Sequence, residues 1–181
     1  MDDKELIERI RNGDEDCFVE FVNKHKNKLV MFCYTYTKDI NEAEDLSQEV
    51  FIKFYQNLRS FRFECSISTY LFRIARNLSI DYIRRKRIKQ VFGLFDVLKD
   101  DFDYDKTDER IFVRKCILEL PENLRTIIVL YYYIGFKESE ISNILNISPK
   151  AVEGRIYRAK QKLKKELEKG EVLICKEERM N

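Results

Sequence analysis

Residues 137–163 read "KESEISNILNISPKAVEGRIYRAKQKL", and the folding of this stretch decides the architecture. Ile141, Ile144 and Leu145 recur on one side of a short helix. Asn146 follows, one of the few non-glycine residues that tolerate a left-handed backbone, and Ile147 can plug inward. Ser148 caps a second helix, Pro149 opens it, and it runs to about Lys169. Its residues Val152, Ile156, Ala159 and Leu163 face a core. Short helix, tight turn, long helix is the helix-turn-helix pattern. From Lys150 to Lys165 seven bases oppose the single acid Glu153. Alone, such a helix is either a DNA reader or a solvated charged face, and the rest of the chain has to separate the two.

Composition narrows the class. The chain has 181 residues, 44% hydrophobic and 36% charged, with only five glycines and two prolines. Strand-and-turn architectures need more turn residues than that, so the expected fold is all-α, in two small helical domains. A net charge of +2 says little, but its distribution says more. Arg84–Lys89 carries five bases and no acid, whereas residues 96–109 carry seven acids against two bases. Cys17, Cys33, Cys65, Cys116 and Cys175 include no C-x-x-C pair, which argues against a zinc site and for reduced, buried or incidental thiols. No stretch approaches about 18 apolar residues, so a soluble, cytoplasmic protein is expected. The single histidine, His25, lies in the polar run "NKHKNK" and is expected to face solvent. There is no phosphate-cradling glycine loop. No catalytic, metal or cofactor residue is assigned, and no small-molecule substrate is expected.

The first domain, residues 1–90, reads as helices from Asp14, a plausible N-cap after Gly13, with Phe18, Phe21, Val22, Leu29 and Phe32 at helical steps. In the next helix Ala43, Leu46, Val50, Phe54 and Leu58 form a buried stripe, with Asn41 as cap and Glu44 as its reciprocal partner. Asp45, Gln48, Glu49 and Ile52 form a second stripe, acidic with one apolar residue, suited to a basic protein partner. "FRFECSIS" is short and irregular. The helix after it is capped by Thr69 or Ser68, with Leu71, Ile74, Ala75, Leu78 and Ile83 on its inner side. Phe61, Phe63, Tyr70 and Phe72 lie among Arg62, Arg73 and Arg76. Such aromatics either stack on bases of single-stranded DNA, with arginines on the phosphates, or belong to the core; Phe72 is read as core, and the other three stay open.

Residues 91–108 are read as a flexible acidic linker. The second domain, 109–170, begins with "ERIFVRKCILEL", packed through Ile111, Phe112, Cys116 and Leu120. Pro121 opens the following helix and Gly135 ends it. A tail, 171–181, has no assigned role.

Two segments then stand in a telling order. "AEDLSQEVFIKFYQNLRSF" with "STYLFRIARNLSIDYIRRKR" resembles the second conserved region of bacterial sigma factors. "LELPENLRTIIVLYYYIGFKESEISNILNISPKAVEGRIYRAKQKL" resembles the fourth. A chain this short, with those two regions alone, is similar to the extracytoplasmic-function group. The resemblance implies a factor that binds core RNA polymerase, through its largest and second-largest subunits, and directs it to promoter DNA, duplex and melted, of a stress- or envelope-responsive regulon. It implies a core-binding role for Asp45, Gln48, Glu49 and Ile52. The loop at Arg62 and Phe63, with Tyr70, Arg73 and Asn77, is implied to enclose a flipped base of the minus-ten element, with Arg84, Arg85 and Lys86 on the DNA backbone. The helix from Pro149 is implied to read the minus-thirty-five element through Lys150, Glu153, Arg155, Arg158 and Lys160. Arg155 is suited to a guanine edge or a phosphate and Glu153 to a cytosine amino group, whereas Arg158, Lys160 and Lys162 meet phosphates or solvent. An anti-sigma partner is also implied.

This sequence departs from the family pattern. Relatives often read "GTVKSR" where it has "KAVEGR", which places Ala151, Glu153 and Gly154 at altered positions. Lys137 stands for a capping serine, Asn146 and Phe63 for glycines, and Tyr70 for tryptophan. Competing functions are an autonomous helix-turn-helix regulator, a protein-interaction module and, last, a small-molecule enzyme. The first of these leaves the acidic face and the aromatic–arginine loop idle.

Overall fold

Helix boundaries in the computed structural model, which describes the backbone of residues 3–91 and 108–177 and the side chains of 4–86 and 112–169, follow local chemistry. The described helices are α1 Asp3–Arg11, α2 Glu15–Thr37, α3 Ile40–Asn57, α4 Ile67–Val91, α5 Asp108–Glu119, α6 Glu122–Ile128, α7 Glu138–Leu145 and α8 Pro149–Glu177. A 3-10 turn, Leu58–Ser60, ends α3, and π turns, Val129–Ile134, continue α6. No strand occurs among the described residues. The chain forms two compact units. The expected linker lies outside the described residues except Val91 and Asp108, which belong to α4 and α5. The expected tail is helical through Glu177, and 178–181 lie outside the described residues.

In the first unit α2 packs against α3 and α4, and α3 against α4. Phe21 is the hub: it stacks on Phe54 at 4.8 Å, meets Phe51 edge-on, and lies 4.6 Å from the His25 ring. His25 is therefore buried rather than solvent-facing; at four residues from both Phe21 and Leu29, it shares their inward face. Ala43, Leu46, Val50, Phe54 and Leu58 are all buried, as is Phe72, which meets Phe32 edge-on. Along α4, Leu71, Ala75 and Leu78 are buried, while Ile74 and Ile83 are only half-buried. Cys17 and Cys33 are buried free thiols, and burial pushes Cys33 up to about 12, leaving an inert side chain.

The caps correct the sequence reading in two places. Asp14 caps α2 as expected, its carboxylate accepting from the Cys17 N–H at 2.9 Å. That bond, and secondarily Arg9, holds the Asp14 carboxyl below the usual range. For α3 the cap is Asp39, not Asn41: its extended backbone (φ −134°) aims the carboxylate at the Glu42 N–H, 3.0 Å away. For α4 the cap is Ser66, whose Oγ accepts from the Thr69 N–H at 3.1 Å, rather than Thr69 or Ser68. The helix α1 was not expected; Ile7 and Ile10, at 0% and 2% exposure, dock it.

In the second unit α8 packs against α6 and α5. Pro121 sits just outside α6, where its carbonyl accepts from the Leu124 and Arg125 N–H groups. Arg125 is buried, and its guanidinium donates to the carbonyls of Leu118 at 2.7 Å and Leu120 at 3.2 Å, closing the end of α5. Gly135, at φ +90°, lets its own N–H and that of Phe136 turn back to the Leu130 carbonyl. Ile141, Ile144, Leu145, Val152, Ile156 and Ala159 are buried, and Leu163 is half-buried. Asn146 is left-handed at φ 52°, the Ser142 hydroxyl donates to the Ile147 carbonyl, and Ser148 accepts from the Ala151 N–H. The helix-turn-helix is closed as its sequence implies.

Candidate nucleic-acid interface

Three surfaces carry the sequence-predicted residues. The first lies on α3. Asp45, Gln48 and Ile52 are exposed and Glu49 half-exposed, on the side opposite the buried stripe. Ile52 is 57% exposed. Tyr55, one turn along, and Val19 of α2 are also exposed, and Phe18 meets Tyr55 at 5.0 Å. Sequence reading missed Tyr55 and Val19, although Tyr55 continues the three-residue step from Ile52.

The second surface is the loop between α3 and α4 with the outer face of α4. Phe61 is buried and belongs to the core; Phe63 and Tyr70 are half-buried, each against Phe61, at 5.1 Å and 4.7 Å. Arg73 is half-buried beside Cys65 and Tyr70, its positive charge acting on both. The Arg73 Nε is buried with no hydrogen-bond partner among the described residues. Arg62 and Asn77 are exposed. Helical spacing puts Tyr70, Arg73, Asn77 and Arg84 on one stripe leading away from the loop, and Arg84 and Arg85 are exposed.

Lys86 departs from that stripe. Its ammonium donates to Glu42 of α3 at 3.0 Å and to the Tyr82 hydroxyl at 2.8 Å, and Tyr82 donates to the same Glu42 carboxylate. Lys86 thus ties α4 to α3. Burial, aided by Glu42, pushes the Tyr82 phenol up to about 12 from 10.0. Folding therefore favours the protonated phenol; this contribution is complete below about pH 10 and disappears as pH rises through about 12. The urea midpoint of the parent is expected to fall more steeply between those two values than that of Tyr82→Phe. Parallel slopes would separate Tyr82 from the alkaline transition.

The third surface is the start of α8. Lys150, Glu153 and Arg158 are exposed and Arg155 half-buried, all within its first turns. A Cβ built on Gly154 meets nothing within 4 Å, so packing does not require glycine there. The Arg158 Nε donates to the Gly154 carbonyl at 3.1 Å. Lys160 lies apart: its ammonium stands 5.4 Å from the ring of Tyr132, and that tyrosine's hydroxyl raises it above the usual lysine value. Tyr157, 64% exposed between Glu153 and Lys160, is an apolar residue of this helix that the charge pattern hid.

Comparison with known proteins covers both units. Residues 21–88 match the family model of Sigma-70 region 2, and residues 113–163 that of Sigma-70, region 4. Over 180 residues the chain is 36% identical to the ECF RNA polymerase sigma factor SigW of Bacillus subtilis, covering 91% of this chain and 96% of that one. It is 29% identical to the RNA polymerase sigma-H factor of Pseudomonas aeruginosa, covering 92% and 94%. Among solved structures it is similar to CnrH in complex with the cytosolic domain of CnrY, at 26% identity and a TM-score of 0.71, covering 92% of this chain and 97% of that one.

Proposed function

The chain belongs to the ECF RNA polymerase sigma factors, and from that membership we propose how its surfaces divide the family's work. It is a transcription initiation factor and not an enzyme: it binds core RNA polymerase and directs promoter-specific transcription. We assign core binding to Asp45, Gln48, Glu49 and Ile52 and extend that face to Tyr55 and Val19. Capture of the melted minus-ten element goes to Arg62, Phe63, Tyr70, Arg73 and Asn77, with Arg84 and Arg85 on the backbone. Lys86 keeps its place at the edge of that surface, where any phosphate it meets competes with Glu42. The minus-thirty-five element is read by Lys150, Glu153, Arg155 and Arg158, with Lys160 at the periphery. We divide the chain into a region 2-like domain at 1–90, a linker at 91–108 and a region 4-like domain at 109–170. The protein works in the cytoplasm, on a stress- or envelope-responsive regulon, and an anti-sigma partner covers the exposed apolar and acidic faces before release.

The observation that carries this reading is the pairing, in one chain, of an exposed acidic face holding a bare isoleucine with a closed helix-turn-helix whose outer side is basic. An autonomous DNA-binding protein has no use for the first. Run-off transcription with purified core polymerase tests it: promoter-specific product appears only when this chain is added. Tight binding to duplex DNA by the chain alone, with no association with core, would defeat it.

Arg158 provides a finer check. Each phosphate contact contributes about 0.9 to the slope of log affinity against log salt on duplex DNA. Arg158→Ala is expected to lower that slope by about this amount while leaving promoter choice unchanged. An unchanged slope places Arg158 off the backbone.

A further inference from the structure

Helix α1 lies outside the stretch that matches Sigma-70 region 2, yet it reaches the loop to which minus-ten capture is assigned. Ile7 and Ile10 fix α1 to the unit. From its last residue, the Arg11 guanidinium donates from Nε and Nη2 to the Leu58 carbonyl, at 3.0 and 2.8 Å. The same Nη2 donates to the Phe61 carbonyl at 2.8 Å. The first of these carbonyls opens the 3-10 turn that ends α3 and also accepts from the Phe61 N–H at 3.2 Å; the second follows the turn. Two residues on, Phe63 has a left-handed backbone, φ 60°, a conformation that a bulky L-residue adopts rarely and only where its surroundings impose it. Here the Phe63 ring has Phe61 at 5.1 Å, the Arg11 guanidinium at 5.6 Å and the Lys4 ammonium at 5.9 Å. Two of these three neighbours come from α1, and one of them also grips the backbone on the loop's entry side.

We propose that Arg11 is a positioning residue: it holds Phe63 in its left-handed conformation and thereby keeps the 61–67 loop in the form that takes up single-stranded minus-ten DNA. The inference rests on the proposed role of that loop. Arginine suits the position because a rigid planar fork donates to two carbonyls while its charge stands over a ring. Lysine keeps the charge but lacks the fixed fork that holds both carbonyls at once. If the loop without Arg11 spends a tenth of its time in the competent form, apparent affinity falls about tenfold.

The test uses holoenzyme reconstituted with full-length chain and a fork-junction fragment, duplex through the minus-thirty-five element and single-stranded across the minus-ten, cut from a promoter mapped for this factor. Arg11→Lys and Arg11→Ala are both expected to bind the fork about tenfold more weakly, with core affinity and binding to the duplex minus-thirty-five fragment unchanged. Phe63→Gly supplies the second arm, since glycine is at ease at this φ. In that background Arg11→Lys is expected to cost less than about twofold. Equal fork affinity for parent and Arg11 variants overturns the inference, as does an undiminished Arg11 effect in the Phe63→Gly background. A variant that also loses core affinity shows Arg11 to be a general structural residue, which overturns it too. Failure of the parent holoenzyme to bind the fork instead sinks the function assigned to the loop.

Discussion

Reversing charge at Asp45 and Glu49 together, as Asp45→Lys with Glu49→Lys, is expected to weaken binding to core RNA polymerase by about a hundredfold while leaving the fold intact. Both side chains lie on the outer side of α3, and the buried stripe of Ala43, Leu46, Val50 and Phe54 is untouched. Glu49 is 4.0 Å from Lys53, a surface pair that contributes little to stability. The thermal midpoint should therefore stay within a few degrees of the parent. A partner built to meet an acidic face would instead meet two lysines, and like charges across a desolvated contact cost several kcal/mol. Titration of labelled core against parent and variant measures it. Equal affinities would move the core contact elsewhere, with Ile52, Tyr55 and Val19 the next surface to alter.

Arg155→Ala is expected to lower affinity for a duplex minus-thirty-five fragment by between about fivefold and a hundredfold, and to relax selection at one base pair. The half-buried Arg155 stands in the first turns of α8, the end to which we assign minus-thirty-five reading, beside Gly154, where no Cβ is present to hold the backbone away. Gly154→Ala sharpens the point. Within a helix the change favours stability by about 1 kcal/mol, and the space around it is open. A variant that is more stable yet binds the fragment more weakly identifies Gly154 as a place of close approach to DNA. Loss that is uniform over all base substitutions would recast Arg155 as a phosphate contact.

Local rules carried most of the fold. The three- and four-residue steps of Ala43–Leu58 and of Val152–Ala159 matched the buried faces, because a helix has one period and a core needs one stripe. Asp14, Gly135, Asn146 and Ser148 stood where backbone chemistry demands such residues. The outward stripe of Asp45, Gln48, Glu49 and Ile52 is legible for the same reason, whereas the roles proposed for the candidate site residues come from the family resemblance.

What the sequence by itself determined is the helical class, the helix-turn-helix and the outward acidic stripe of α3, since each depends on spacing within one element. The tertiary structure decided which polar groups find a partner that lets them turn inward. His25 sits among lysines in sequence but against Phe21 in space. Arg125 looks like any surface arginine until α5 ends beside it with unpaired carbonyls. Lys86 belongs to a basic run, yet Glu42, 44 residues away, claims it. Arg11 reaches Phe61 across 50 residues. Lys86 and Arg11 depend on partners distant along the chain, and Arg125 depends on where α5 ends. A buried charge is tolerated only where such a partner compensates for its lost water, and local periodicity contains no information about that partner.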